Sequence, residues 1–282
     1  MERYINSFAT ENDIQIALEN GELLKPYVAY IEDADRIDWN SKNKIVDYTT
    51  EYLTFNILSA GTINWTANNT ALTKIIDYKL NDNEWVSITS NTGSSAPSIT
   101  VNSGDKLQFR GNNTAYSSVN VWGDVFYNSF KSSTVLFEAE GNIMSLVNST
   151  GFATATTLSS AYMFRDLFFG CTGLTSAENL ILPATTLANY CYDSMFNGCT
   201  SLTTAPELPA TTLANVCYRD MFRDCTSLNY IKCLATDISA TNCTQGWVAK
   251  VASTGTFVKN PNMTSWTEGN SGIPTGWTVI DA

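Results

Sequence analysis

Histidine is absent from the 282 residues. That removes Ser-His-Asp and Cys-His catalysis and most transition-metal sites. Charge is sparse, at 15% of residues, with 16 basic against 27 acidic side chains and a net charge of −11. Non-specific nucleic-acid binding needs clustered Lys and Arg to displace counterions, and the sequence has no such cluster. An anionic membrane would repel the same surface. No apolar run reaches the roughly 18 residues of a membrane-spanning helix. The opening MERYINSFATENDIQ has neither a basic n-region nor an apolar h-region, so no secretory signal is expected. Cysteine is missing before residue 171, and seven cysteines follow. Their odd number and the lack of a signal point to buried free thiols rather than a disulfide frame. The spacings of Cys191 to Cys199 and Cys217 to Cys225 fit no common zinc motif. Neither a cofactor nor a metal is expected.

What is present is 44% apolar and 12% aromatic, rich in Asn, Thr and Ser, a mix that suits β-rich extracellular or virion proteins. Residues 1–45 hold nine of the 27 acidic residues. Within them, Ile14, Ala17 and Leu18 are spaced as one face of a short helix that Gly21 would stop. KPYVAYIEDADRIDWN then reads as an extended segment leading to a turn. Asp33 and Asp35 sit like the first and third ligands of a calcium loop. Asp38 and Lys44 stand where such a loop needs glycine and glutamate, so no metal site is assigned. The segment is too poor in apolar residues for its own core and reads as an attachment element.

Residues 46–137 alternate with period two. Leu53, Phe55 and Ile57 share one face, and so do Ile63 and Trp65. IIDYKLNDNEWVSITS reads as a hairpin turning at NDN, and SITVNSGDKLQFRG as another turning at Gly104 and Asp105. Short strands at this spacing predict a small β-sandwich.

From residue 138 onwards the chain repeats itself. LPATTLAN, CY, MF and CTSL recur with a 26-residue period, as Cys191 to Cys217 and Met195 to Met221 show. A weaker copy, SAYMFRDLFFGCTGL, lies 28 residues upstream, and a degenerate one carries Cys243 and Trp247. Five columns keep their apolar character: Met163/Cys191/Cys217, Phe164/Tyr192/Tyr218, Leu167/Met195/Met221, Phe168/Phe196/Phe222 and Cys171/Cys199/Cys225. Their offsets of 0, 1, 4, 5 and 8 predict one face of an α-helix. The variable letters Arg165/Asp193/Arg219, Asp166/Ser194/Asp220 and Phe169/Asn197/Arg223 then fall on the solvent face. Each helix is followed by a strand-like arm such as LTTAPELP, which gives the period of a leucine-rich repeat. The expected fold class is mixed α/β. It comprises an attachment segment (1–45), an all-β sandwich (46–137) and a leucine-rich-repeat solenoid with a C-terminal cap (138–282).

Carboxylates that could serve a glycosidase exist, among them Glu178, Glu207 and Asp193. Glu207 aligns with Cys233 and Asp193 with arginines, which reads as solvated surface rather than a catalytic pair, so no enzyme is expected. Tyr162 and Tyr190 share one outward position of the repeat, and aromatic faces on a polar surface are a means of gripping sugars. The candidate ligand-binding surface is Tyr162, Arg165, Asn189, Tyr190, Asp193, Asn197, Arg219 and Arg223. Phe169 is expected to pack on the sandwich or on a sister chain.

The C-x-x-x-M-F-x-x-C-T-x-L unit with L-P-A-T-T-L, over residues 160–250, resembles the BspA-type leucine-rich repeats of bacterial surface proteins. The opening IQIALENGELLKPYVAYIEDADRIDWN resembles a leader on fibre-like proteins of gut Bacteroides and their phages. These resemblances imply adhesion and receptor binding. The expected protein is a non-enzymatic phage virion fibre or decoration protein. It would join other virion proteins through residues 1–45, bind a host receptor or glycan through its repeat end, and form a homo-oligomer. Nucleic acid and membrane insertion are not expected. The alternative is a bacterial cell-surface adhesin of the same architecture, outside the cell rather than on a virion.

Overall fold

The computed structural model describes residues 7–8, 30–31, 50–132 and 134–282. In the leader, β1 (Ser7–Phe8) and β2 (Tyr30–Ile31) pair in parallel. The short helix expected around Ile14, Ala17 and Leu18, the Asp33/Asp35 pair and the attachment role of residues 1–45 fall outside the described residues.

Two sheets follow. Strands β3 (Leu53–Ile57), β5 (Ile75–Leu80), β6 (Val86–Thr89), β8 (Lys106–Arg110), β11 (Phe137–Asn142) and β12 (Leu174–Ile181) form one, in the order β12-β11-β3-β8-β5-β6. Strands β4 (Gly61–Ala67), β7 (Ser98–Val101), β9 (Ser117–Val119) and β10 (Val125–Lys131) form the other, in the order β7-β4-β10-β9. Period-two alternation sends Leu53, Phe55 and Ile57 of β3 and Ile63 and Trp65 of β4 into the space between the sheets. There Phe55 meets Phe130 at 5.0 Å between ring centroids, and Trp65 meets Phe130 at 4.7 Å. This β-rich arrangement is compatible with the expected sandwich.

One expected hairpin forms: β5 and β6 pair antiparallel, Ile76 opposite Ile88. The other does not. β7 pairs with β4 and β8 pairs with β3 and β5, so the turn at Asn102–Asp105 carries the chain from one sheet to the other. The turn is bonded instead to the end of β3, Gly104 N–H to Ile57 O at 2.8 Å and Ile57 N–H to Asp105 O at 2.9 Å. Ile99 and Val101 thus face Leu107 and Phe109 across the core, which two strands of one hairpin cannot do.

The repeat region overturns the expected fold class. Among the described residues there is no α-helix, and nothing takes the form of a helix-and-strand leucine-rich-repeat solenoid; they are nearly all β, in sheets joined by turns. Each expected helix is a run of consecutive tight turns with a left-handed residue at every fourth position. These are Tyr162, Asp166 and Gly170 in one copy, Tyr190, Ser194 and Gly198 in the next, and Val216, Asp220 and Asp224 in the third. Within a run, alternate N–H groups close turns onto carbonyls three residues back, as Met195 N–H does onto Tyr192 O. The N–H groups between them leave the run. Those of Tyr192, Ser194 and Phe196 donate to the carbonyls of Cys217, Arg219 and Met221 in the next copy. A four-residue period and a 3.6-residue period place offsets 0, 1, 4, 5 and 8 on one face almost equally well, since eight helical residues drift by only about 80°. The core columns therefore read correctly while the backbone did not.

The copies stack in register. Phe168, Phe196 and Phe222 follow one another at 5.3 and 5.6 Å, and Phe164, Tyr192 and Tyr218 at 5.8 and 6.1 Å. Left-handed backbone costs a non-glycine residue roughly 1–2 kcal/mol. Hydrogen bonds between copies and this column of buried rings offset that cost. The first run bonds to the sandwich, Phe130 N–H to Leu167 O at 2.8 Å and Tyr116 N–H to Met163 O at 2.9 Å. At the far end Trp247 stacks on Trp266 at 5.6 Å and donates its indole N–H to Gly272 O at 2.8 Å. The arms of successive copies meet in parallel through isolated bridges, Ser176 to Thr204, Thr204 to Tyr230, Leu208 to Cys233 and Thr212 to Asp237, and the last of them form a parallel sheet of β13 (Tyr230–Cys233), β14 (Thr256–Lys259) and β15 (Thr278–Asp281). Pro206, which has no N–H to give, lies between the bridges at Thr204 and Leu208, where the arm forms no continuous strand. All seven cysteines are free and buried. Cys199 and Cys225 donate their thiols to Phe168 O and Phe196 O of the preceding copy at 3.1 and 3.0 Å.

Candidate functional site

The stacking of turns brings together residues that are 26 to 28 positions apart. Tyr162 and Tyr190 occupy the first left-handed position of successive runs, and their rings stack at 4.8 Å with 27° between planes. Three residues on, Arg165, Asp193 and Arg219 fall in one column. Arg219 grips Asp193 with two bonds, Nε to Oδ1 at 3.1 Å and Nη2 to Oδ2 at 2.6 Å. From the other side Arg165 Nε lies 3.0 Å from Asp193 Oδ2 and 3.2 Å from Asp166 Oδ2. Those two contacts are ion pairs by distance, and neither is aligned as a hydrogen bond. Each arginine also covers the tyrosine of its own run, Arg165 over Tyr162 and Arg219 over Tyr190, both at 5.7 Å.

This column corrects the sequence reading. Asp193 is 0% exposed and Arg165 8%, although both were expected on a solvent-facing helix surface. In a run of four-residue turns the third residue after the tyrosine lies against the neighbouring copies, so its charge must be answered there. The alternation Arg, Asp, Arg is that answer: like charges stacked a rung apart would repel, and opposite ones pair. That alternation was the signal available in the sequence, and it read as mere variability.

Burial pushes the Asp166 carboxyl up to about 7. Arg165 beside it opposes the rise, while neighbouring Asp193 adds to it. Burial likewise raises the Asp193 carboxyl, against the pull of the Arg219 hydrogen bonds and the Arg165 charge. Two arginines and two aspartates leave the cluster close to neutral.

Five of the eight expected site residues thus form one constellation: Tyr162, Arg165, Tyr190, Asp193 and Arg219. The other three stand apart. Asn189 is exposed and its carbonyl accepts from Tyr162 N–H at 3.3 Å. Asn197 is half-buried, with its carbonyl bonded to Gly170 N–H at 2.7 Å. Arg223 is exposed in a separate charged patch, 3.3 Å from Asp220 and 3.6 Å from Asp224, which Lys250 also reaches at 2.7 Å. Phe169 packs against Tyr127 of β10 at 5.6 Å.

Two features escaped the sequence reading. Asp166 belongs to the cluster. The turn between β9 and β10 holds Val121 at 93% and Trp122 at 87% exposure. Asn120 fixes that turn, its Oδ1 accepting from the N–H groups of Trp122 and Asp124 at 2.9 Å each. Among the described residues no group of three His, Cys, Asp or Glu could hold a metal, and no helix is long and apolar enough to cross a membrane. Comparison with models of protein families, with curated proteins and with solved structures finds no match to this chain.

Proposed function

We propose that the protein is a non-enzymatic virion fibre or decoration protein that binds a host surface receptor or glycan through its repeat end. Residues 1–45 join it to its particle, and residues 46–137 form a sandwich spacer. The observation that carries the binding role is the Tyr162/Tyr190 pair. Two half-buried rings are held stacked, 27° apart, each covered by an arginine that a buried aspartate fixes in place. A preorganised aromatic step on an Asn- and Thr-rich surface loses little side-chain freedom when a ligand settles on it. The cluster beneath it supports a binding platform better than an acid–base pair, because Asp193 is fully buried and gripped by two hydrogen bonds from Arg219. The resemblance of the repeat unit to bacterial surface proteins agrees with this role.

The test is a panel of host-surface polysaccharides presented to the intact chain and to the Tyr162→Ala/Tyr190→Ala variant. Losing the stacked pair should weaken the best binder by about tenfold or more. Equal binding by both proteins would remove the platform, and cleavage of any bound glycan would remove the non-enzymatic role. Recovery of the chain with purified phage particles supports the virion assignment. Recovery only with cell envelopes would replace it with a bacterial surface adhesin.

A further inference from the structure

Eight described cations each have a carboxylate within ion-pair distance: Lys106, Arg110, Arg165, Arg219, Arg223, Lys232, Lys250 and Lys259. Lys131 is half-buried at the end of β10 and has none among the described residues. Its ammonium lies 5.0 Å from the centre of the Phe169 ring, which supplies only a partial substitute for an anion. Burial pulls this ammonium down from its ordinary value, against smaller opposing effects of Cys171, Cys199 and Asp166. A desolvated cation without a counter-ion is a costly arrangement unless something else completes it.

The surroundings are suited to complete it. Lys131 opens onto a cavity of about 150 Å³ lined by Thr62, Asn64, Ser132, Thr134 and Gly170, with no apolar side chain in its wall. Among the described residues the side chains of Thr62, Asn64 and Thr134 make no hydrogen bond, so two hydroxyls and an amide are free to donate. Ser132 is committed, its hydroxyl bonded to Val135 O at 2.6 Å. Gly170, in the left-handed region at φ +66°, leaves the ammonium its room: a Cβ there would stand 3.3 Å from Lys131 Nζ. One positive charge among neutral donors matches a monoanion.

We propose that this pocket, between the Asn64–Lys131 end of the β4/β10 pair and the first run of turns, binds the carboxylate of an acidic sugar, an assignment that rests on the glycan-binding function proposed above. Lys131 Nζ pairs with the carboxylate, and Thr62, Asn64 and Thr134 donate to its oxygens.

The experiment titrates the full chain with glucuronate, acetate, glucose and phosphate, following backbone amide shifts by NMR up to about 50 mM ligand. Glucuronate and acetate should shift the amides of residues 62, 64, 131, 132, 134 and 170, while glucose should leave them unmoved; tighter binding of phosphate than of either carboxylate would overturn the carboxylate assignment. Lys131→Met should weaken glucuronate binding at least tenfold, and Lys79→Met, which removes an equal charge elsewhere, should not weaken it. Thr134→Val, at an exposed position, should weaken it several-fold and keeps the test valid should Lys131→Met fail to fold. Unmoved amides, or unchanged affinity in both pocket variants, overturns the site even if the tyrosine platform binds glycans. Carboxylate binding that disappears with Lys131, in a chain whose Tyr162/Tyr190 variant binds polysaccharide normally, keeps the pocket and overturns the platform.

Discussion

Replacing Asp193 with alanine removes the carboxylate that holds Arg165 and Arg219 together. Breaking a fully buried pair by deleting one partner costs about 3–5 kcal/mol, because the other charge is left buried and unanswered. Two features reduce that here. The Arg219 side chain is 29% exposed and can recover part of its hydration, and Arg165 keeps Asp166 at 3.2 Å. The expected loss is therefore about 2–3 kcal/mol in unfolding free energy. Urea denaturation of Asp193→Ala, Arg219→Ala and the double variant measures it as a cycle. The two residues should couple by about 1–2 kcal/mol. Arg223→Ala, in the exposed patch, provides the contrast and should change stability by no more than about 0.5 kcal/mol. Had residues 190–198 been a helix, Asp193 would face water and behave as Arg223 does. A loss at Asp193 within about 0.5 kcal/mol, with no coupling to Arg219, would refute the turn-stack geometry.

Gly198 distinguishes the two backbones by sign. Its φ of +77° is left-handed, and an added Cβ would meet Gly170 Cα at an ordinary 3.4 Å, so Gly198→Ala should destabilise by about 1 kcal/mol through the backbone alone. In a helix the same change would stabilise by a similar amount, and thermal melts read the direction. Asp166 sets a pH dependence. Its folded carboxyl stands at about 7 against about 3.9 in the unfolded chain, so its contribution to stability is complete below about pH 4 and lost as pH rises through 7. Asp166→Asn should flatten that decline, seen as a smaller difference in urea midpoint between pH 5 and pH 8; an undiminished slope would place the titration elsewhere. The thiols should be nearly inert in the native protein, since burial pushes Cys171 and Cys233 up to about 12. A thiol reagent followed by intact mass should label all seven only in denaturant, and fast native labelling of Cys199 or Cys225 would contradict the stacked core.

The sequence by itself determined the side-chain columns. Comparing the chain with its own copies placed Phe168, Phe196 and Phe222, and the cysteines beside them, in one buried core, and alternation placed the inner faces of β3 and β4. It also selected five residues of the candidate cluster. What it could not determine was where backbone N–H groups go. The apolar pattern over nine residues fixes a face, and a helix and a run of four-residue turns share that face. The choice between them is made by hydrogen bonds to a copy 26 residues away, as from Tyr192 N–H to Cys217 O at 3.1 Å. The same holds for β7 and β8, where a turn that reads as a hairpin joins two sheets because each strand finds its partner elsewhere. Asp193 follows from this too: a charge with no partner along its own run is buried once the next copy, carrying Arg219, stacks against it. Local pattern sets which atoms avoid water, and only the tertiary stack sets which polar atoms must answer one another.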